Sequence, residues 1–308
     1  MDKKKQYIGF ALQVLAGAVF ILSAVLKFIS IDAFDIFVYE HRFLPWSLGN
    51  LATRLLVGLE LFLGLMLILN IYSRFFRWVS LVVLLLFSIY LFSKPYLFPE
   101  TDENCHCFGD VFQFTRIQSL LKNFLLVILL FFASWVKPWK FGFRKLMAIL
   151  AGVVCFAVPV ILKPTDMISA ALYDKTGKVD EQILTFLYDN VRVEPLELTK
   201  GRKVLCLYST NCPYCVRMGQ RLSIFLSNEK ADINKVKCIF TGASKSVDSF
   251  YKKTNLPAIP YASIDPILFT LLTKHSYPVI VLLEDGRVKQ AFSYTTFDEK
   301  EVRMFLLQ

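Results

Sequence analysis

The chain has no second Cys-x-x-Cys beside Cys212-Pro213-Tyr214-Cys215. Its C-terminal half holds a single histidine, His275, and offers only Cys206 and Cys238 as further soft ligands. A tetrahedral zinc site built on this motif would need two more ligands close by, so no metal is expected. The long apolar runs contain one cysteine, Cys155, so a dithiol relay through a bilayer has no pair to run on. The first apolar run follows Asp2-Lys3-Lys4-Lys5 and lacks a small-residue cleavage site. It also outruns the roughly 7–15 apolar residues of a signal peptide, which predicts a retained helix. The second half of the chain lacks long apolar runs altogether.

What is present is strongly apolar. Hydrophobic residues make up 55% of the 308 positions and mean hydropathy is +0.50, beyond the range of an ordinary soluble protein. Five runs, at 7–30, 51–72, 78–98, 120–136 and 146–162, approach or exceed the ~20 residues a helix needs to span hydrocarbon, the fourth being among the shortest. Lysine and arginine set orientation. Lys3, Lys4 and Lys5 precede the first run, Arg74 and Arg77 lie between the second and third, and Lys137, Lys140, Arg144 and Lys145 lie between the fourth and fifth. The alternate loops carry Asp32, Asp35, Glu40, Glu100, Asp102 and Glu103. The expectation is a multi-pass membrane protein with a cytoplasmic N-terminus, the loop at 105–107 and everything after Leu162 lying outside. The net charge of +10 is then partly topogenic; membrane lipid is the expected partner and nucleic acid is not.

Residues 31–50 mix apolar and charged side chains and suggest an interfacial helix, with Pro45-Trp46 marking the water interface and the start of the next span. Arg54, near the outer end of the second run, is expected to snorkel. Glu60 lies deeper, where an ionisable residue is expensive and faces the bundle interior; a functional or packing role stands against that of a protonated or helix-bonded bystander. The organisation expected is a membrane bundle at 1–163, an extracytoplasmic linker at 164–195 with one short helix around 180–190, and an α/β domain at 196–308. Strands are expected at 204–209, 236–240, 277–283 and 288–294, the last two joined by a turn at Glu284-Asp285-Gly286-Arg287. Helices are expected at 216–227, 248–254, 266–274 and 298–307.

Two cysteine pairs carry the chemistry. Cys212 and Cys215 stand between a strand and a helix. Unpaired N–H groups at a helix N-terminus favour a thiolate, and the i,i+3 spacing lets the second sulfur close or resolve a disulfide. Pro213 suits the first helical position. A structural disulfide and a metal half-site are the alternatives. The other pair is Cys105-His106-Cys107, in a short loop between the third and fourth runs. A disulfide between residues two apart closes a small, strained ring, which makes it oxidising. His106 is placed to tune the thiolates or carry protons; a structural loop or a metal site with His106 is the alternative. Cys155, Cys206 and Cys238 read as buried small hydrophobes.

Residues 196–308 resemble the thioredoxin fold: strand, Cys-x-x-Cys, helix, strand, helix, then an apolar strand introduced by proline. The resemblance implies a cis proline beside the active disulfide, here Pro278 after Tyr277. Thr210-Asn211 departs from the aromatic pair common before the first cysteine of thioredoxins, and Pro-Tyr is the dipeptide familiar from glutaredoxins. Residues 7–136 resemble the MauE family among DoxX-like membrane proteins, through Asn104-Cys105-His106-Cys107-Phe108-Gly109 and Glu60-Leu61-Phe62-Leu63-Gly64. His106 stands where that family has glycine. The family link implies periplasmic disulfide formation. The fused layout is similar to bacterial vitamin K epoxide reductase homologues, which join a quinone-reducing four-helix bundle to a thioredoxin domain; the fifth helix would be the tether.

The fold expected is therefore a four-helix DoxX/MauE-like bundle plus a tether helix, followed by a thioredoxin-like α/β domain. The function expected is thiol–disulfide oxidoreduction. Cysteine-containing periplasmic client proteins reduce Cys212/Cys215, which reduce Cys105/Cys107, which pass electrons to a quinone; no covalently bound cofactor is expected. Catalytic roles fall on Cys212, Cys215, Cys105, Cys107 and Pro278, with tuning or proton transfer by His106, Tyr277 and Glu60. A periplasmic reductase or isomerase fed by a separate partner, and a non-enzymatic maturation scaffold, are the competing expectations.

Overall fold

The structure, a computed structural model, describes residues 3–41, 44–97, 112, 114–139, 142–173, 177–189, 193–229 and 232–307. Cys105, His106 and Cys107 lie outside the described residues. The chain divides into two compact units, Met1–Thr165 and Asp166–Gln308.

Unit one is helical: α1 (Lys3–Ile29), α2 (Ile31–Glu40), α3 (Trp46–Ile68), α4 (Ser73–Leu97), α5 (Arg116–Phe132) and α6 (Arg144–Leu162). Among the described residues, α1, α3, α4, α5 with its one-turn extension to Trp135, and α6 are long and apolar enough to cross a membrane. Leu85, Leu86, Phe92, Phe124 and Ile149 stay exposed, an apolar surface that hydrocarbon rather than water would cover. The unit is a multi-pass membrane bundle.

Packing centres on α3, which lies against α1 on one side and α6 on another. A Cβ on Gly64 would stand 2.7 Å from the Gly17 carbonyl oxygen of α1, and one on Gly17 would stand 2.8 Å from that of Gly64. The two backbones touch, the small-residue contact that lipid-facing helices use. Gly58 does the same toward α6, where Phe156 and the Cys155 carbonyl approach.

Several buried charged and polar side chains of the bundle are paired across helices. Arg54, 3% exposed, donates from Nη1 to both carboxylate oxygens of Asp35 on α2 (2.5 and 2.6 Å) and from Nε to the Lys163 carbonyl (3.1 Å). Thr53 donates to the same carboxylate. The snorkelling expected of Arg54 does not occur, because Asp35 offers a carboxylate inside the protein. α2 is correspondingly packed, with Phe34, Asp35, Phe37 and Tyr39 buried. At the other end, Arg77 donates to Gln13 Oε1 (2.6 Å) and to the Val136 carbonyl (3.1 Å), and Gln13 donates to the Leu67 carbonyl (2.6 Å). Arg77 thus ties α4 to α1 besides counting as a loop charge.

Unit two holds α7 (Asp166–Tyr173), α8 (Glu181–Tyr188), β1 (Arg202–Ser209), α9 (Pro213–Glu229), β2 (Val236–Thr241), α10 (Ser244–Thr254), β3 (Tyr261–Ile264), α11 (Pro266–Leu272), β4 (Val279–Glu284), β5 (Arg287–Ser293) and α12 (Glu299–Leu307). The sheet order is β3-β2-β1-β4-β5. β1, β2 and β3 run parallel; β4 is antiparallel to β1 and β5 to β4. Asp285 (φ 49°) and Gly286 (φ 77°) give the left-handed pair of a two-residue hairpin turn. The helix and strand sequence around this sheet is thioredoxin-like. One face buries Leu205, Leu207, Ile239, Val279, Val281 and Leu283 with Phe269 and Leu272 of α11. On the other, Tyr208 and Phe240 meet Phe250 of α10 at ring distances of 5.2 and 5.1 Å.

Two differences from the sequence reading stand out. The expected linker at 164–195 contains α7 and α8, and Leu184, Leu187 and Val193 belong to the sheet's core, so the folded unit begins before residue 196. β3 was not expected: it is four residues long and follows Pro257 and Pro260, which mask a strand pattern.

Breaking a buried ion pair leaves an uncompensated charge, at a cost of about 3–5 kcal/mol. Arg54→Met is therefore expected to destabilise the bundle by that amount in chemical unfolding of the detergent-solubilised protein. Adding Asp35→Leu should recover most of the loss; equal losses in single and double variants would refute the pairing.

Candidate active site

The site forms where β1 ends and α9 begins. After Ser209 the chain turns, with the Cys212 N–H donating to the Ser209 carbonyl (3.2 Å) and the Val216 N–H to that of Cys212 (3.2 Å). Cys212 thus sits at the mouth of α9 with Pro213 as its first residue, where no intrahelical N–H is needed. Cys212 is half-buried and Cys215, one turn on, is fully buried. Both are thiols.

The two sulfurs have opposite electrostatics. Cys212 is lowered from 9.0 to about 6, first by the hydrogen bond from the Cys215 thiol, against the opposing effect of burial. The backbone N–H groups of Cys215 and Tyr214 and the charge of Arg217 add to the lowering. Cys215 is pushed up, chiefly by burial and then by donating that hydrogen bond, although the Ser209 N–H bonds its sulfur at 3.3 Å. A thiolate is the nucleophile in disulfide exchange, so at neutral pH Cys212 is armed and Cys215 is held in reserve.

The sheet brings Pro278 to the same end. The β1–β4 register ends at Leu207 opposite Val279, so Pro278 lies beside the tip of β1 from which the cysteine turn departs. The Tyr277–Pro278 peptide is cis. Tyr277 is 40% exposed, its ring 5.7 Å from that of Phe269. Tyr214, between the cysteines, is exposed, with Tyr294 at 5.9 Å and the Arg217 guanidinium at 5.3 Å from its ring.

α9 is anchored by Arg221, 3% exposed. Its guanidinium meets Glu299 of α12 at 3.1 Å and Asp166 of α7 at 3.6 Å, and donates to the Phe297 carbonyl at 3.1 Å. Cys206 and Cys238 are register partners across β1 and β2 and are fully buried; burial raises the Cys206 thiol, which keeps it unreactive. Cys155 is buried against α3. Among the described residues, no group of three or more His, Cys, Asp or Glu is gathered to hold a metal.

In unit one, Glu60 pairs with Lys27 of α1 and accepts from Ser23 Oγ at 3.0 Å. The structure thus gathers Cys212, Cys215 and Pro278 in one place and Glu60 in another. The sequence reading missed Arg217, the Ser209 N–H and the partners Lys27 and Ser23. Arg217 was visible in principle as a cation in the first turns of α9; Lys27 and Ser23 depend on helix rotation and were not.

The chain is similar to several known proteins. Residues 5–136 match the family described as methylamine utilisation protein MauE, so the N-terminal unit carries a MauE-like membrane domain, here joined to a thioredoxin-like one. Protein TlpB of Flavobacterium psychrophilum is 27% identical, over 87% of this chain and 86% of its own. Among solved structures, a secreted Mycobacterium tuberculosis disulfide oxidoreductase homologous to E. coli DsbE is 19% identical, over 37% of this chain and 84% of its own, with a TM-score of 0.29. StoA from Bacillus subtilis is 18% identical, over 34% and 83%, with a TM-score of 0.27.

A depressed thiol pKa acts like a depressed carboxylate: its stabilisation of the folded dithiol is full above 9.0 and is lost as pH falls through about 6. Alkylation of native, reduced protein by iodoacetamide should accordingly modify Cys212 with a rate midpoint near pH 6 and leave Cys215 untouched. Peptide mass spectrometry checks this; a midpoint near 9.0, or equal labelling of both cysteines, would contradict the assignment.

Proposed function

We propose that this protein is a membrane thiol–disulfide oxidoreductase that oxidises thiols of cysteine-containing client proteins on the periplasmic side of a bacterial inner membrane. The observation that carries the reading is the asymmetric pair: an accessible Cys212 thiolate backed by a buried Cys215 thiol. Lowering the pKa of Cys212 stabilises the reduced form of the pair, and a disulfide whose reduced form is stabilised is a better oxidant.

In this reading a client thiolate attacks the Cys212–Cys215 disulfide and bonds to Cys212, releasing Cys215. A second client thiol then displaces Cys212, leaving a client disulfide and a reduced pair. Cys212 next attacks the Cys105–Cys107 disulfide, and Cys215 resolves the mixed disulfide. The membrane dithiol gives its two electrons and two protons to a lipid-soluble quinone, which becomes the quinol. Pro278 borders the exchange site, and His106 tunes the membrane pair. The cation-rich loops support an N-terminus in the cytoplasm and both cysteine pairs outside. The absence of a cysteine pair within the apolar runs favours this direction over reduction powered from the cytoplasm.

Thiol trapping in growing cells tests the direction. The soluble pair should be mainly oxidised in the unaltered protein and become mainly reduced in a Cys105→Ser/Cys107→Ser variant. A pair that is mainly reduced in both would instead indicate a reductase or isomerase supplied by another protein. Client oxidation that survives Cys212→Ser would indicate a scaffold.

A further inference from the structure

Between α1, α3, α4 and α5 the bundle leaves a small cavity with polar groups on part of its wall. It has about 30 Å³ of space and is lined by Ser23 of α1, Glu60 of α3, Phe87 of α4, and Lys122 and Asn123 of α5, among apolar neighbours. That is room for a water molecule and too little for an organic ring. The loop that carries Cys105 and Cys107 joins the end of α4 at Leu97 to the start of α5 at Arg116. At 1.5 Å per residue, Phe87 lies about 15 Å along α4 from the loop and Lys122 about 9 Å along α5.

The lining has the composition of a hydrated site. Asn123 is 1% exposed and donates from Nδ2 to Ser88 Oγ at 3.0 Å, but its Oδ1 has no hydrogen-bond partner among the described residues. A buried acceptor left unpaired is costly, and a water in the cavity removes that cost. Glu60 supplies an acceptor and Ser23 a hydroxyl. The titratable groups facing Glu60 are Lys27 from α1 and Lys122 from α5; α4 contributes Val83, Leu84 and Phe87. The Lys27 and Lys122 ammonium groups lie 5.9 and 6.0 Å from the Phe87 ring. Two lysines thus accompany one carboxylate, and acidic side chains facing the interior of a membrane bundle are the groups that proton relays use.

We propose that this cavity is a water-holding proton-transfer site in which Glu60 accepts and returns a proton during turnover of the membrane dithiol, with Asn123 holding the water and Lys122 balancing the charge. The inference rests on the function proposed above. Oxidation of two thiols to a disulfide frees two electrons and two protons. The electrons go to the quinone, and the quinone takes up two protons as it becomes quinol. The site gives a proton a holding place inside the bundle while thiols and quinone exchange electrons.

The test uses the full-length chain in lipid nanodiscs with Cys212→Ser and Cys215→Ser, so that dithiothreitol acts on Cys105/Cys107 alone. The infrared difference spectrum between oxidised and reduced protein should contain carboxyl bands that vanish in Glu60→Gln and water O–H bands that vanish in Asn123→Leu. Reoxidation by a short-chain ubiquinone analogue should slow about 100-fold in Glu60→Gln and shift its pH profile in Lys122→Met, a variant outside the Lys27–Glu60 pair. Carboxyl bands without reoxidation by the quinone would sustain the proton site and overturn the acceptor. A wild-type spectrum with no Glu60 band, or unchanged rates and pH profiles in all three variants, would overturn the proton site, whether or not the quinone reoxidises the protein.

Discussion

The hydrogen bond from the Cys215 thiol to the Cys212 sulfur is the interaction on which the soluble unit's chemistry depends. It requires one sulfur near water and the other out of it, at a fixed spacing of one helical turn. The fold supplies this by ending β1 at Ser209 and starting α9 at Pro213. A charge-assisted hydrogen bond is about twice as strong as a neutral one, so it outweighs the partial burial of Cys212. The arrangement survives only if α9 cannot slide along the sheet, and Arg221 fixes it to α7, α12 and the turn before α12 at once. The site's electrostatics therefore follow from packing two turns further along the helix.

The membrane unit answers a different constraint. Where water is absent, a buried charge needs an internal partner, and the described helices supply several across chain distances that sequence does not reveal: Lys27 with Glu60, Asp35 with Arg54, Gln13 with Arg77. The Glu60-Leu61-Phe62-Leu63-Gly64 motif has a physical reading here. Residues four apart share a helix face, so the face on which Gly64 admits the α1 backbone is the face on which Glu60 reaches Lys27 and Ser23. The glycine sets the approach and the carboxylate uses it.

Span positions were legible because a hydrocarbon core imposes a length: each of the five expected runs overlaps one of the five observed helices, and α3 starts at Trp46 beside the expected interface residue Pro45. The hairpin turn at Asp285-Gly286 and the Cys-x-x-Cys at a strand-to-helix junction were legible because each depends on local chemistry. The partnership of Arg54 was not, since charge on an apolar run says nothing of what a neighbouring helix offers. Neither was β3, whose pairing to β2 comes from the sheet rather than from its own four residues. The cavity around Asn123 needed four helices in register before any of its residues had a meaning.

The central claim is that the two cysteine pairs belong to one electron path. The most direct measurement is to express Cys215→Ser in membranes, block free thiols and search by non-reducing mass spectrometry for a disulfide joining Cys212 to Cys105 or Cys107. The account predicts that this crosslink accumulates, because the cysteine that would resolve it has been removed. Its absence, with Cys105 and Cys107 still joined to each other in the unaltered protein, would contradict the relay and leave the soluble pair working with a separate partner.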